Sequence, residues 1–203
     1  MKIINQSYKL LSNVDKDTIY KQIENAGRIC YDSRNKITED SATLFIRKII
    51  ENGHESVLEH ISLSVEFETS IGISRNLVRH RICSFSEQST RYCDFSNELV
   101  VVNPNFKSEE CYNSWVSCCN MLEVVYKKME CAPQYKRDIL PLSTATKIVV
   151  TANLREWRHI FKLRLSNKAH PQIIELLLPL FKELYSILPD VFHDIDYSRR
   201  FDK

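Results

Sequence analysis

Residues 61–68 have the sequence ISLSVEFE, in which apolar and polar side chains alternate without a break. Successive side chains of a β-strand point to opposite faces of its sheet, so this pattern is typical of a strand with one buried face. No other stretch of the chain alternates as regularly. It predicts a β-sheet among elements whose sequence patterns are mostly helical.

Helical patterns stand on both sides of this strand. Apolar residues recur at helical spacing through residues 15–31 and from Ala42 to Ile50, as they do on one face of a helix. Further helices are predicted at 71–81, 107–130, 132–139, 154–165 and 171–188. Pro179 is expected to kink or split the last of them, because proline removes a backbone hydrogen bond inside a helix.

Few other strands are predicted. Residues 98–102 favour a strand, residues 147–151 favour a strand or the buried start of a helix, and residues 82–94 favour an ordered loop. Helices therefore outnumber strands, and no repeat or linker divides the sequence. The sequence predicts an α+β fold in which helices cover a small, mainly antiparallel sheet, as a single domain over residues 1–203.

The composition excludes several classes of protein. The formal net charge of +2 is too small for a protein that coats nucleic acid, so we expect no nucleic-acid partner. No apolar run reaches the roughly 18 residues of a membrane span, and the N-terminus lacks the apolar core of a signal peptide. The 7 cysteines are odd in number and show no CxxC spacing, so reduced thiols and a cytoplasmic location are expected.

Positive charge is concentrated in residues 75–91, which read RNLVRHRICSFSEQSTR. Four arginines stand there against one acid, Glu87, and a run of hydroxyl and amide side chains follows. Guanidinium groups bind phosphate through paired hydrogen bonds, and short polar groups satisfy the remaining oxygen atoms. The run predicts a site for a phosphorylated small molecule, and a solvated basic helix end before a surface loop is the alternative.

A second motif, His54 to His60, reads HESVLEH and looks like a zinc-binding sequence. Its two histidines are six positions apart and fall on different faces of a helix, whereas a zinc-binding HExxH motif places them four apart. We therefore expect no metal. A capped turn with buried polar groups and a turn that contacts a cofactor are the two interpretations left.

A third cluster comprises Asn153, Arg155, His159 and Arg164. Arg155 and His159 share a helical face, and residues 155–168 hold five cations against one acid, Glu156. Such runs are usually solvated helix faces. A second basic cluster in one chain is of interest because it needs a partner of its own. A nucleic-acid-binding module that uses both clusters is the competing interpretation of the chain.

These blocks, in this order, resemble the flavin-dependent thymidylate synthases. Arg79-His80-Arg81, then seven residues, then Ser89, matches the signature of that family. The remaining matches are Ser86 to Tyr92, the His54 to His60 turn, Arg137 ahead of Leu140-Pro141, Asn153 with Arg155, and Leu163-Arg164. The resemblance covers roughly residues 20–185, and its ordered blocks are together far more specific than the triplet alone.

The resemblance implies an enzyme that methylates dUMP at C5 to give dTMP. Methylenetetrahydrofolate would supply the carbon, reduced FAD the hydride, and NADPH the electrons that reduce the flavin. A homotetramer with active sites shared between subunits is implied as well. The family needs no cysteine nucleophile, which agrees with the lack of a convincing cysteine site in the sequence. A family member that binds these ligands without turnover remains a further alternative.

The resemblance also implies roles for individual residues. FAD would be bound by Ser56, Arg79, His80, Arg81, Glu87, Asn153, Arg155 and His159. The substrate dUMP would be bound by Asn76, Arg79, Glu87, Ser89, Thr90, Arg91, Arg137 and Arg164. Arg164 would be catalytic, because a fixed guanidinium at the pyrimidine edge stabilises negative charge at N3 and pushes electron density toward C5. Asn76 and Thr90 replace the frequent glutamine and glycine of the family.

Overall fold

The computed structural model describes residues 1–197. Contacts between residues group the chain into two compact units. The first unit holds residues 1–8, 66–79 and 85–149, and the second holds residues 9–65, 80–84 and those from 150 onward. That residues 1–203 act as one domain stays a prediction.

Strands and helices are both present, as an α+β fold requires. The strands are β1 (Lys2–Ile4), β2 (Ser7–Leu10), β3 (Ser62–Ser70), β4 (Ser84–Glu87), β5 (Val100–Val102) and β6 (Ala145–Asn153). The helices are α1 (Lys16–Ile29), α2 (Ser41–Glu51), α3 (Ile71–Leu77), α4 (Glu109–Lys128), α5 (Pro133–Lys136), α6 (Leu154–Arg164), α7 (Pro171–Ile187) and α8 (Pro189–Phe192). Short 3₁₀ turns cover Arg34–Lys36, Glu55–His60 and Arg137–Ile139.

The main sheet has four strands in the order β2-β3-β6-β4. Its central strands, β3 and β6, are antiparallel. Backbone hydrogen bonds of 2.9 Å at opposite ends of the pair join Leu154 N to Ile61 O, and Ile71 N to Thr144 O. A separate two-stranded sheet pairs β1 with β5 in parallel, with Ile3 opposite Val101. The predicted small antiparallel sheet is thus confirmed, and the parallel pair forms a second sheet that was not predicted.

In the second unit, aromatic packing fixes the orientation of α6. Trp157 and Phe161 are fully buried and stack with ring centroids 5.8 Å apart, and Phe161 also packs edge-on against Phe181 and Phe192. The indole Nε1 of Trp157 donates a hydrogen bond of 3.1 Å to Leu63 O of β3. Since this face of α6 is buried, its polar residues lie on the other sides of the helix.

In the first unit, α4 anchors the chain start. Cys119 of α4 packs with Leu99 and Val101 in an apolar cluster. Glu123 accepts hydrogen bonds from the amino group of Met1 (2.8 Å) and from Leu99 N (3.0 Å). These donors lower the pKa of the Glu123 carboxyl to about 2, so it stays charged and keeps β1 in place.

Two predictions about residues 71–94 were wrong. The helix ends at Leu77 rather than at residue 81, so Arg79 lies beyond α3 and does not share a helical face with Arg75. The chain turns because His80 is buried and its carbonyl accepts a bond of 3.1 Å from Cys83 N. The predicted loop at 82–94 contains β4, which pairs with β6 and is followed by the Gln88 N to Lys147 O bond of 2.9 Å.

The other predicted elements agree with the structure within a few residues at their ends. Pro179 lies inside α7 without splitting it. Residues 147–151, which favoured a strand or a helix start, belong to β6. Among residues 1–197, no helix is both long enough and apolar enough to cross a lipid bilayer.

Candidate functional site

A cavity of about 570 Å³ lies in the first unit and is called the first cavity. Its walls come from α3, the end of β4, the turn at residues 88–90 and the segment 137–142. Ser70 caps the start of α3 by accepting a bond of 3.2 Å from Ile73 N, and Gly72 N donates to Leu142 O at 2.9 Å. These bonds hold α3 against the opposite wall of the cavity.

The turn after β4 carries the polar wall of the first cavity. Ser89 O accepts hydrogen bonds from Tyr92 N (3.2 Å) and Cys93 N (2.9 Å), and Ser89 Oγ accepts one from Arg91 N (3.3 Å). This tight turn leaves Ser89 and Thr90 lining the cavity, half-buried. Hydroxyl groups in such a place serve as both donors and acceptors for a ligand.

Two guanidinium groups face the first cavity. Arg75 has no hydrogen-bond or ion-pair partner within residues 1–197, and Arg137 Nε lies 3.9 Å from Asp138 Oδ1, which is a weak pairing. Glu87 also lines the cavity and accepts a bond of 3.3 Å from Thr146 Oγ1. Two weakly engaged arginines beside hydroxyls and a fixed carboxylate suit an anionic ligand that also offers donors.

A second cavity of about 540 Å³ lies in the second unit, beside the start of α6. Asn153 lines it and caps α6, since its side-chain oxygen accepts a bond of 2.9 Å from Glu156 N. Arg155, His159 and Lys162 of α6 face the same space. Ile82 is 73% exposed on its wall, which offers a flat apolar surface beside the cationic groups.

A third cavity of about 350 Å³ lies between α1, α2 and the 54–57 turn of the second unit. Ser56 and His54 line it, together with Arg155. An ion pair with Glu59 holds the Arg155 guanidinium, although both side chains are about half exposed. Arg155 thus borders the second and third cavities.

His80 and Arg164, which the sequence analysis assigned to different ligands, are hydrogen-bonded to each other. Arg164 Nε donates to His80 Nε2 at 2.9 Å. His80 Nδ1 lies 3.4 Å from Glu156 Oε1, and the His159 ring packs edge-on at a centroid distance of 5.9 Å. His80 is 6% exposed and Glu156 is 7% exposed, so the pair is shielded from water.

The electrostatics of this cluster keep His80 neutral. Burial, the Arg164 guanidinium and His159 lower the pKa of His80 to about 4. Burial raises the pKa of the Glu156 carboxyl, and His159 opposes that change. At neutral pH the imidazole is therefore uncharged, and one of its nitrogens is an acceptor while the other carries a proton.

The same cluster places ligand atoms of His80, Glu156 and His159 within 4.8 Å of one another, which is close enough for a metal ion. In the sequence only His54 to His60 looks like a metal-binding motif, so this set was not predicted. The hydrogen bond from Arg164 to His80 disfavours metal binding at this cluster, however. A metal on His80 Nδ1 would put the proton on Nε2, where it would face the Nε–H of Arg164.

One cysteine, Cys83, lies close to the His80 cluster. Burial, with the nearby Glu156 carboxylate, raises the pKa of the Cys83 thiol to about 12, so it stays protonated. All 7 cysteines are free of disulfides. That the enzyme works without a cysteine nucleophile stays a prediction.

The structure brings most of the predicted site residues into groups. Glu87, Ser89, Thr90 and Arg137 line the first cavity. Asn153, Arg155 and His159 line the second, Ser56 lines the third, and His80 is bonded to Arg164. Asn76, Arg79, Arg81 and Arg91 do not line these cavities. Asn76 donates to Gly72 O at 3.1 Å, and Arg91 lies over the Tyr92 ring at 5.5 Å.

Three residues of these sites were not predicted. Arg75 lay in the quoted basic run but was given no role, although its charge was the signal. Glu156 was counted only as the acid among five cations, and Lys162 only as one of the cations. The spacing of Glu156 and His159, three positions apart on a predicted helix, could have indicated that they meet on one face.

Residues 9–190 match the family described as thymidylate synthase complementing protein. The flavin-dependent thymidylate synthase of Mycobacterium sp. (strain JLS) is 35% identical over 203 residues, covering 86% of this chain and 79% of the relative. That of Mycobacterium tuberculosis (strain ATCC 25177 / H37Ra) is 34% identical over 201 residues, with 87% and 79% covered.

Two solved structures share the fold. Thymidylate synthase X from Helicobacter pylori, crystallised with FAD and dUMP, has a TM-score of 0.78 at 21% identity, covering 92% of this chain and 99% of that one. The UMP/dUMP methylase PolB from Streptomyces cacaoi, bound with 5-Br dUMP, has a TM-score of 0.77 at 21% identity, with 95% and 96% covered. At such identities the likeness concerns the fold.

Proposed function

The chain belongs to the family of thymidylate synthase complementing proteins, and from this we propose that it is an FAD-dependent thymidylate synthase. It converts dUMP to dTMP, with methylenetetrahydrofolate as the carbon donor, reduced FAD as the hydride carrier and NADPH as the reductant. The observation that carries the proposal is the grouping of Glu87, Ser89, Thr90 and Arg137 around one cavity. Motif order alone had assigned these four residues to dUMP.

The chemistry of the first cavity supports a nucleoside monophosphate. Arg75 and Arg137 supply paired donors for a phosphate, and Ser89 and Thr90 supply hydroxyls. Glu87, held by Thr146, accepts hydrogen bonds from hydroxyl or N–H groups of the nucleotide. The cavity contains no glycine-rich phosphate loop, so side chains rather than backbone amides provide the anion contacts.

The second cavity supports FAD. Arg155, Lys162 and His159 provide donors for a diphosphate, and the exposed Ile82 provides an apolar surface for a planar ring. Three carboxylates line the same cavity, and two of them, Glu59 and Glu55, pair with Arg155 and Lys162. The diphosphate of FAD would replace these carboxylates as the partner of the two cations. Arg155, Lys162 and His159, with Asn153 and Ser56, are proposed to hold FAD. When bound in its reduced form, FAD supplies the hydride that completes the methyl group.

Arg164 is proposed to act on the pyrimidine. Its guanidinium stabilises negative charge at N3 of the uracil ring, which raises electron density at C5 and replaces activation by a cysteine. Its Nε is bound to His80, so the plane of the guanidinium is fixed before the substrate arrives. Preorganised donors of this kind stabilise a transition state without having to reorient.

We further propose that residues 1–203 act as one domain and that the protein is a homotetramer whose active sites take residues from more than one subunit. The family match supports the first point, because residues 9–190 draw on both compact units. The free thiols support a reducing compartment, the cytoplasm.

The proposed activity predicts a yellow protein that releases tritium from 5-tritiated dUMP. Release is expected only when NADPH and methylenetetrahydrofolate are both present, because methylation replaces the hydrogen at C5. Liquid scintillation counting of released water measures it, and omission of each component is the control. Colourless protein that binds nucleic acid in a gel shift and releases no tritium would contradict the proposal.

The first cavity yields a prediction about the phosphate. Arg75→Gln and Arg137→Gln are each expected to weaken dUMP binding about 10- to 100-fold, because a charge-assisted contact contributes on the order of 1.5–3 kcal/mol. Deoxyuridine, which lacks the phosphate, should bind equally well to both variants and to the parent. Isothermal titration calorimetry measures the dissociation constants.

Arg34→Gln is the matched control, because Arg34 is an exposed arginine on a 3₁₀ turn of the second unit. It should leave the affinity for dUMP unchanged. An equal loss of affinity for deoxyuridine and dUMP would show that Arg75 and Arg137 do not contact the phosphate.

A further inference from the structure

We propose that Glu156 is a positioning residue that orients the Arg164 guanidinium through the imidazole of His80. This inference rests on the proposed function, in which Arg164 acts on the pyrimidine. It assigns a role to an acid that the family resemblance left without one. It also changes the role of His80, whose two ring nitrogens are directed at protein groups.

The three side chains form a continuous line. Glu156 Oε1 lies 3.4 Å from His80 Nδ1, and His80 Nε2 accepts the hydrogen bond of 2.9 Å from Arg164 Nε. Glu156 and Arg164 lie on the same helix, α6, so the imidazole bridges two positions of one rigid element. Both side chains are more than nine-tenths buried, and Glu156 also lines the second cavity.

The proton arrangement follows from Arg164. A guanidinium Nε always carries hydrogen, so His80 Nε2 must be the acceptor and the imidazole proton must lie on Nδ1. That proton then lies on the ring nitrogen that is 3.4 Å from Glu156 Oε1. In the opposite tautomer two donors would face each other at Nε2, and two acceptors would face each other at Nδ1. Glu156 and Arg164 therefore select the same tautomer from opposite sides.

The titratable groups that act on or lie beside the His80 imidazole come from two segments. Arg164, His159 and Glu156 come from α6, and the Cys83 thiol follows His80 in the chain. Burial, the Arg164 guanidinium and His159 lower the pKa of His80 to about 4, so the ring is neutral at neutral pH. The imidazole is therefore neutral near pH 7, where it contacts Glu156 on one side and Arg164 on the other.

A fixed bridge has a consequence for catalysis. Arginine side chains have several rotatable bonds, and holding Nε fixes the plane in which the terminal nitrogens lie. Groups that orient a metal-ligating histidine typically change affinity or activity about 10- to 100-fold when removed, and we expect an effect of similar size for the orientation of Arg164. Loss of Glu156 should therefore lower kcat and leave the affinity for dUMP largely unchanged.

The kinetic test compares two replacements of Glu156. Glu156→Gln keeps an acceptor oxygen for the His80 Nδ1–H, so kcat should stay within about 3-fold of the parent. Glu156→Leu removes the acceptor, and kcat should fall about 10-fold or more. The KM for dUMP should remain close to the parent value in both, and because Glu156 lines the second cavity, kcat is compared at equal flavin content. Glu24→Leu, which removes another buried carboxylate of the second unit, is the matched control and should leave kcat unchanged.

A spectroscopic test needs no activity. In protein labelled with ¹⁵N-histidine, the His80 nitrogens should show the tautomer protonated at Nδ1, and Glu156→Leu should broaden or shift those signals. The assignment comes from the loss of the same signals in His80→Asn. This measurement separates the inference from the proposed function, because it applies even to a protein that releases no tritium.

Three results would overturn the proposal. The first is a His80 ring protonated at Nε2 in the parent protein. The second is a Glu156→Leu variant that folds, binds flavin and keeps the kcat of the parent, or that loses affinity for dUMP instead. The third is stoichiometric zinc binding to the parent that Glu156→Leu abolishes, since the cluster would then be a metal site.

Discussion

Replacing Arg164 with alanine is expected to lower kcat at saturating dUMP about 100- to 1,000-fold while FAD stays bound. Loss of a preorganised donor at a developing negative charge has an effect of that size, because nothing else at the site takes its place. The residue is half-buried at the end of α6, with its Nε bonded to His80. Single-turnover formation of dTMP, followed by rapid quench, measures the rate of the chemical step.

Lys168→Ala is the control for Arg164→Ala. Lys168 is an exposed cation just beyond α6. Its loss changes the net charge as much as the loss of Arg164, but leaves the contacts among Glu156, His80 and Arg164 in place. We expect the control to keep the kcat of the parent. A parent rate in Arg164→Ala as well would contradict the catalytic role of this arginine.

Replacing Arg158 with methionine is expected to lower the free energy of unfolding by about 3–5 kcal/mol, the range for breaking a buried ion pair. The Arg158 side chain is fully buried. It donates to Glu55 at 2.9 Å, to both carboxylate oxygens of Asp194 at 2.8 and 2.9 Å, and to Val191 O. Removing it leaves two acids without their main partner. Urea unfolding followed by circular dichroism measures the change.

Arg155→Met is the matched control on the same helix. Its ion pair with Glu59 joins two side chains that are 51% and 46% exposed, and such pairs contribute at most about 1 kcal/mol. The free energy of unfolding should therefore change little. An equal decrease in the free energy of unfolding in Arg155→Met and Arg158→Met would contradict the view that burial makes the Arg158 ion pairs the stronger ones.

The Arg158 cluster also predicts an acid-sensitive stability. Burial raises the pKa of Asp194, but hydrogen bonds from Arg158 and Lys162 outweigh it and hold the pKa at about 2. Glu55 shows the same balance, with a lowered pKa. Because the folded pKa lies below the unfolded value, this stability is complete above about pH 5 and is lost as the pH falls toward 2. Arg158→Met should show a weaker dependence than the parent, because Lys162 and Glu123 remain, and unfolding free energies measured from pH 6 to 2 test it.

The sequence predicted the long elements well and the short ones poorly. β3 and the helices α1, α2, α4, α6 and α7 carry enough periodic positions to show their pattern. β1, β2 and β4 have only 3 or 4 residues each, too few to show one. Their structure depends on distant partners, as β1 depends on β5. Sequence patterns do not contain that information.

The candidate site was predictable in its residues but not in its contacts. Motif order indicated His80 and Arg164 as ligand-binding residues. It could not show that they bond to each other, because they are 84 positions apart in the sequence. Arg75 was visible as a charge, but its place in the first cavity depends on where α3 packs. Glu156 lacked any motif, and only its burial beside His80 indicates a role.

A crystal structure of the protein with FAD and dUMP tests the central claim most directly. We predict the dUMP phosphate between Arg75 and Arg137 in the first cavity, and FAD against Asn153, Arg155 and His159 in the second. Arg164 should contact the uracil edge while its Nε remains bonded to His80. Well-ordered FAD and dUMP bound elsewhere, with both cavities filled only by solvent, would contradict the account.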